Sequence, residues 1–230
     1  MIKFENTEVM NFEGALRGMR NPLNSWDKSD SEWDWVEDPS PINPNDPGMM
    51  YIIGPNDLDL ARRLISAGSD HRKFLRQIFV SVDITAPLYW WKEFDTYKVA
   101  TVANSCSTMH TIHKKEFTLE DFSHEHLFNG LEENATEMDY YENPVGALEY
   151  IIAVLNDYRK RFLETKDKKA WWQMIQLLPT SYNQKRTVTF NYETLRNISH
   201  SRRNHKLDEW SVGFMEWIDG LPYAEELIKN

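Results

Sequence analysis

The sequence predicts a mixed α+β domain. Two runs alternate apolar and polar residues with the period of a strand, and each leads straight into a helix signal. Several other runs space apolar residues three and four apart, the period of one helix face. Strands followed by helices, with helical runs before and between, describe this class. At 230 residues the chain is read as a single domain, 1–230, large enough to bury about 70% of its unfolded surface.

In chain order, the first distinctive stretch runs from about Asn21 to about Met50 and is rich in Asn, Asp, Ser, Pro and Trp. Pro22, Pro39, Pro41, Pro44 and Pro47 exclude a regular helix through much of it. Trp26, Trp33 and Trp35 predict a loop packed onto the body, because a solvated linker has little use for indoles. Asn56 is expected to cap a helix whose stripe is Leu60, Ala61, Leu64 and Ile65, with Gly68 ending it. In Gln77–Ile84, the residues Ile78, Val80, Val82 and Ile84 alternate with Gln77, Phe79, Ser81 and Asp83, giving the first strand. Pro87 then suits a helix's first turn.

Thr101–His110 is expected to be a loop dense in hydroxyl, amide and thiol groups. Leu148, Ile151, Leu155, Tyr158 and Phe162 mark the buried face of a long helix from about Val145 to about Glu164, expected to pack on the sheet. A helix from Lys168 to Leu178 is stopped by Pro179. Thr187–Asn191 is the second strand, and Asn191 caps the helix after it. The last helices run from Asp208 to Asp219 and from Pro222 to Lys229.

Composition excludes several classes. Hydrophobic residues at 41% and aromatics at 13% are too many for a disordered chain. Lys+Arg 26 against Asp+Glu 36 gives a net charge of -10, which argues against broad DNA binding driven by phosphate neutralisation. No apolar run approaches the ~20 residues of a membrane span, and the first residues lack a signal peptide's apolar core. Cys106 is the only cysteine, so no internal disulfide forms, and a cytoplasmic setting is expected.

Within this acidic chain, Lys185–Lys206 reverses the charge, holding Lys185, Arg186, Arg196, Arg202, Arg203 and Lys206 against Glu193. Arg196, His200 and Arg203 share a helix face, while Arg202 falls with Leu195 and Ile198. An arginine on the more apolar face must find an anion or a carboxylate, and its planar fork matches a phosphate or a pyrimidine carbonyl. The competing reading is a solvated, charged surface helix. In the Thr101–His110 loop, side chains and backbone N–H groups can cradle an anion or a base edge. Cys106 and His110, four apart, are a possible nucleophile pair, against the commoner buried structural cysteine. His110-x-x-His113 and His124-Glu-His126 lack partner ligands at metal-site separations, so no metal is assigned. No GxGxxG or GxxxxGK[ST] is present.

With these residues in place, the chain resembles the flavin-dependent thymidylate synthases, the ThyX family. The C-terminal match is Leu178-Pro179, Lys185, Thr187–Asn191, Leu195, Asn197, Arg202, His205 and Trp210. Ala86-Pro87, the Asn104-Ser-Cys-Ser107 loop and Ala15–Arg20, with Arg17 and Arg20, match in the same order. Similar chains occur among phage and prophage proteins. The resemblance implies a ThyX-like fold, a homotetramer with sites at subunit interfaces, and a flavoprotein methyltransferase that converts dUMP to dTMP. It implies FAD as cofactor, NADPH as reductant and methylenetetrahydrofolate as carbon donor.

Carried over by position, Arg202 grips the base and is the candidate catalytic residue. Lys185, Asn104, Ser105 and Ser107 serve the nucleotide, and His71, Lys98, Asn191, Asn197 and His205 serve the flavin. Several positions depart from the family. Thr96-Tyr97-Lys98 stands where the family has Arg-His-Arg, Met109 replaces an Arg, Lys185 replaces an Arg and Glu193 replaces an Arg. A Gly-His-x-x-Pro-x-Glu-His stretch is reduced to Gly68-Ser-Asp-His71 and Arg76. Three functions are therefore expected in turn: a divergent FAD-dependent enzyme acting at C5 of a pyrimidine deoxynucleotide, a nucleotide-binding protein without flavin chemistry, and a scaffold that keeps only the fold.

Overall fold

The computed structural model describes residues 2–36, 48–129 and 143–230. Pro39, Pro41, Pro44 and Pro47 of the long N-terminal stretch lie outside the described residues. Among the described residues the strands are β1 (Lys3–Met10), β2 (Glu32–Trp35), β3 (Met49–Ile52), β4 (Phe79–Pro87), β5 (Val102–Ser105) and β6 (Asn183–Asn191). The helices are α1 (Phe12–Arg20), α2 (Pro55–Ser66), α3 (Leu88–Phe94), α4 (Thr108–Thr111), α5 (Pro144–Thr165), α6 (Lys168–Leu177), α7 (Tyr192–Arg202) and α8 (Met215–Asp219). A four-stranded sheet has the order β1-β4-β6-β5, and β2 pairs with β3 in a separate hairpin. The fold is α+β, as predicted. None of the described helices is long and apolar enough to cross a membrane.

The chain divides into two compact units. The larger holds Ile2–Ile84, Asp95–Asn104 and Arg186–Asn230. Its core follows from the alternation read in the sequence: Ile78, Val80, Val82 and Ile84 are fully buried, while Phe79 is 42% exposed. Val188, Phe190, Leu195, Ile198, Trp210 and Phe214 are buried in the same unit. Each such side chain contributes about 1.5–3 kcal/mol on leaving water. Asp83 ties the sheet together across its polar face. It accepts hydrogen bonds from Asn6 Nδ2 at 3.0 Å and from Thr187 Oγ1 at 2.6 Å. The sequence pattern does not announce β1, because Asn6 sits at φ 52° and breaks its alternation.

Helix α2 corrects one expectation. Its cap is not Asn56: the helix begins at Pro55, and Asp30 reaches in from an earlier segment. Asp30 Oδ2 accepts from Asn56 N–H at 2.9 Å and Asp30 Oδ1 from Asp57 N–H at 3.1 Å. Gly68 does end this region, at φ +106° with open space around it. Gly68→Ala is expected to cost about 1 kcal/mol, because the added Cβ strains a left-handed backbone rather than meeting a neighbour. A melt should show Tm lower by about 2–4 °C.

The indoles also depart from expectation. Trp26, Trp33 and Trp35 are 51%, 52% and 61% exposed rather than packed onto the body. The register pairs Trp33 with Tyr51 and Trp35 with Met49, so period two puts all four on one face of the β2–β3 hairpin. Trp33 donates from Nε1 to Glu13 at 3.0 Å and meets the Tyr51 ring edge to face at 5.5 Å.

The smaller unit holds Thr85–Phe94 and Ser105–Lys185. Leu148 and Leu155 of α5 are buried, and Ile151, Tyr158 and Phe162 pack at the edge of the same cluster. The remaining members are Ile112, Phe117, Phe122, Ile152 and Met174, with no residue of the predicted first strand among them. Within this unit the main partner of α5 is α6. Asn156 adds a polar clamp, accepting from Phe117 N–H at 2.9 Å and donating to Phe117 C=O at 2.8 Å. Trp90 and Trp91 are fully buried core residues. Their rings meet edge to face at 4.8 Å, and Trp90 stacks on Phe94 at 5.1 Å.

Candidate functional site

The site is built where β6 turns into α7. Asn191 is buried at the turn with extended backbone, and its Oδ1 accepts from Thr194 N–H at 2.9 Å. This satisfies one of the donors that every helix start leaves open. Two residues on, Glu193 is only 8% exposed. Arg72 Nε donates to both of its carboxylate oxygens, at 2.9 and 3.2 Å. Arg72 is placed for this by the turn after α2, where its N–H donates to Gly68 C=O at 3.1 Å. A cavity of about 430 Å³ opens at this turn. Its lining includes Arg76, Tyr97, Lys98, Asn191, Glu193 and Asn197.

Arg202 lies at the other end of α7. Its Nε donates to Tyr97 Oη at 2.7 Å. Its guanidinium also sits 5.5 Å from the Tyr97 ring and 5.3 Å from the Trp210 ring. Arg202 thus has a phenol oxygen and two ring faces among its partners. A phenol oxygen and two π faces also lower the cost of a partly buried cation. Tyr97 belongs to the cavity lining and to the Arg202 contact at once.

The other predicted residues separate into groups. Lys98, Asn191 and Asn197 line the cavity. His205 packs near Trp210, with ring centroids 6.5 Å apart, and its Nδ1 accepts from Leu207 N–H. His71 belongs to the Gly68–Arg72 turn. The Thr101–His110 stretch is not the single loop expected from its composition, because part of it is strand. Asn104 and Ser105 end strand β5, Cys106 N–H donates to Lys185 C=O at 2.9 Å, and Ser107 Oγ caps α4 by accepting from His110 N–H. None of Asn104, Ser105, Ser107 and Lys185 lines the cavity. Cys106 is exposed, which removes the reading of a buried structural cysteine. Among the described residues, no three His, Cys, Asp or Glu side chains converge as a metal site.

Much of the basic stretch is engaged within the chain. Arg186 pairs with Asp95 at 2.7 Å, Arg196 donates to the carbonyls of Ile228 and Asn230, and Arg203 meets His200 Nδ1 at 3.1 Å. Burial, then the charges of Arg196, Arg203 and Arg72, push the His200 imidazole below its ordinary value. Sequence reasoning passed over Tyr97 and Arg72 as site residues. Glu193 carried the usable signal, because an acid in the first turn of a half-buried helix needs a cation nearby.

No protein-family model matches the chain, and no curated protein matches it in sequence. Solved structures do. ThyX from Helicobacter pylori, crystallised with FAD and dUMP, superposes at TM-score 0.63 and 15% identity, covering 100% of this chain and 98% of that one. The chain has the ThyX fold. The UMP/dUMP methylase PolB from Streptomyces cacaoi, bound with 5-Br dUMP, superposes at TM-score 0.60 and 15% identity, covering 99% of this chain and 93% of that one.

The ThyX fold implies FAD, and the α7 turn can be tested against it. A dinucleotide's diphosphate needs cations or open N–H groups. Here Asn191 holds the Thr194 N–H, and Glu193 puts a buried carboxylate in the first turn. Arg72 is neutralised by that carboxylate. These residues do not fit a flavin diphosphate at this turn.

Proposed function

We propose that this protein binds a pyrimidine mononucleotide in the cavity beside α7. The observation that carries the reading is Arg202, whose fork is oriented by Tyr97, a residue of the cavity wall. A guanidinium fixed in this way can give parallel hydrogen bonds to a pyrimidine carbonyl edge. Lys98 and Arg76 supply positive charge suited to one phosphate, and the Asn197 amide offers both a donor and an acceptor. Titration calorimetry with dUMP, dTMP and dCMP, beside a purine mononucleotide, is the test. Saturable binding confined to the pyrimidines is expected. No heat from any of them sinks the reading.

A second reading goes further, to one-carbon transfer at C5 of the bound pyrimidine. It is supported by the full-length likeness to a thymidylate synthase and a UMP/dUMP methylase. The carbon would come from methylenetetrahydrofolate and the electrons from NADPH by way of FAD, as the family resemblance implies, so this reading requires FAD to be held away from the α7 turn. Mass spectrometry of dUMP after incubation with both and FAD should then show the gain of a methyl group. Unchanged dUMP leaves the binding reading alone. A homotetramer is the assembly this reading implies, and light scattering that gives a stable monomer at micromolar concentration removes any site shared between chains.

A further inference from the structure

We infer that the cavity beside α7 accepts a mononucleotide and refuses a flavin dinucleotide, because the Arg72–Glu193 pair occupies the helix start where a diphosphate would lie. The accepting half rests on the proposed pyrimidine reading, and the refusing half stands on the pair alone. Arg72 and Glu193 have side chains only 18% and 10% exposed, so their charges are poorly screened. Both Glu193 oxygens accept from Arg72 Nε, at 2.9 and 3.2 Å, which fixes the carboxylate. Its negative end lies in the first turn of α7, where the helix dipole favours an anion. The place of a bound anion is therefore already filled by the chain's own carboxylate. A diphosphate brought to the same turn meets a like charge, a juxtaposition that costs several-fold to many-fold in affinity.

The neighbouring donors add little for a second anion. Asn191 holds the Thr194 N–H at 2.9 Å. Arg76 donates from its NH2 nitrogen to Ser69 C=O at 3.2 Å, at the cavity rim. The cavity wall thus offers Arg76 and Lys98 for one phosphate, with the paired Glu193 carboxylate in the same lining.

The test measures FAD binding by the full chain, with equilibrium dialysis read by flavin absorbance, for wild type and Glu193→Gln. Glutamine keeps an acceptor for Arg72 and removes the charge. Glu193→Gln is expected to bind FAD about tenfold more tightly than wild type, the factor given by about 1.4 kcal/mol. If Glu193→Gln does not fold, the double variant Arg72→Met, Glu193→Met carries the same expectation, because exchanging a buried pair for packed apolar groups is often neutral for stability. Wild type that purifies yellow, or a folded variant with no gain for FAD, overturns the inference. The dUMP titration is separate: its failure removes the pyrimidine reading and leaves the FAD comparison to decide this one.

Discussion

Asp57→Asn is expected to destabilise the chain by about 3–5 kcal/mol, because it strands a buried guanidinium. Asp57 is fully buried and Arg20 is 4% exposed. Arg20 Nε meets Asp57 Oδ1 at 2.5 Å, and Asp57 Oδ2 accepts from Ser29 Oγ at 2.7 Å and Ser31 Oγ at 2.6 Å. Arg20 also donates to Ser25 C=O at 3.2 Å, while its NH2 nitrogen finds no acceptor among the described residues. Asparagine would leave that cation unneutralised and turn an NH2 group toward donors. Burial by itself would push the Asp57 carboxyl up. Hydrogen bonds from Ser31, Ser29 and Arg20, with the Arg20 charge, hold it below its ordinary value.

The sign of the pH dependence follows. A carboxyl depressed in the folded state contributes stability above its unfolded value, about pH 3.9, and loses it as pH falls through the folded value. Denaturant melts of wild type and Asp57→Asn should differ most at neutral pH and converge in acid. A gap that is constant with pH would mean that the cost comes from packing and not from the pair.

Arg202→Ala is expected to weaken pyrimidine nucleotide binding by about 1.5–3 kcal/mol, or about ten- to a hundredfold, with little change in folding. Arg202→Lys should recover little of it, because a point charge cannot replace a planar fork or its stacking. The rival role for Arg202 is structural, as a cation bridging the Tyr97 and Trp210 rings. In that case Arg202→Ala lowers Tm and leaves affinity alone. Calorimetry and a melt on the same preparations separate the two.

The parts legible in the sequence were those set by local periodicity. Val80, Val82 and Ile84 on β4, and Leu148 and Leu155 on α5, are buried as their spacing requires. Asn191 was legible as a cap because capping spans only three residues. What escaped was contact between distant segments. Asp57 reads as an ordinary acid in a helix's first turn, and Arg20 lies 37 residues away. Strand β5 escaped because small polar residues suit both an open loop and a strand edge, and only the partner strand decides. Tyr97 looked like a departure from a motif, whereas its hydroxyl is what orients Arg202.

The start of α2 has a kinetic consequence. The first amides of a helix normally exchange fastest, because nothing but water holds them. Asn56 and Asp57 donate instead to Asp30, 26 and 27 residues earlier. Their protons are released when the Ser29–Ser31 segment lifts away, not when the helix end frays. In deuterium exchange, these two amides should therefore exchange together with the hairpin side of the contact, while their neighbours along α2 report on the helix.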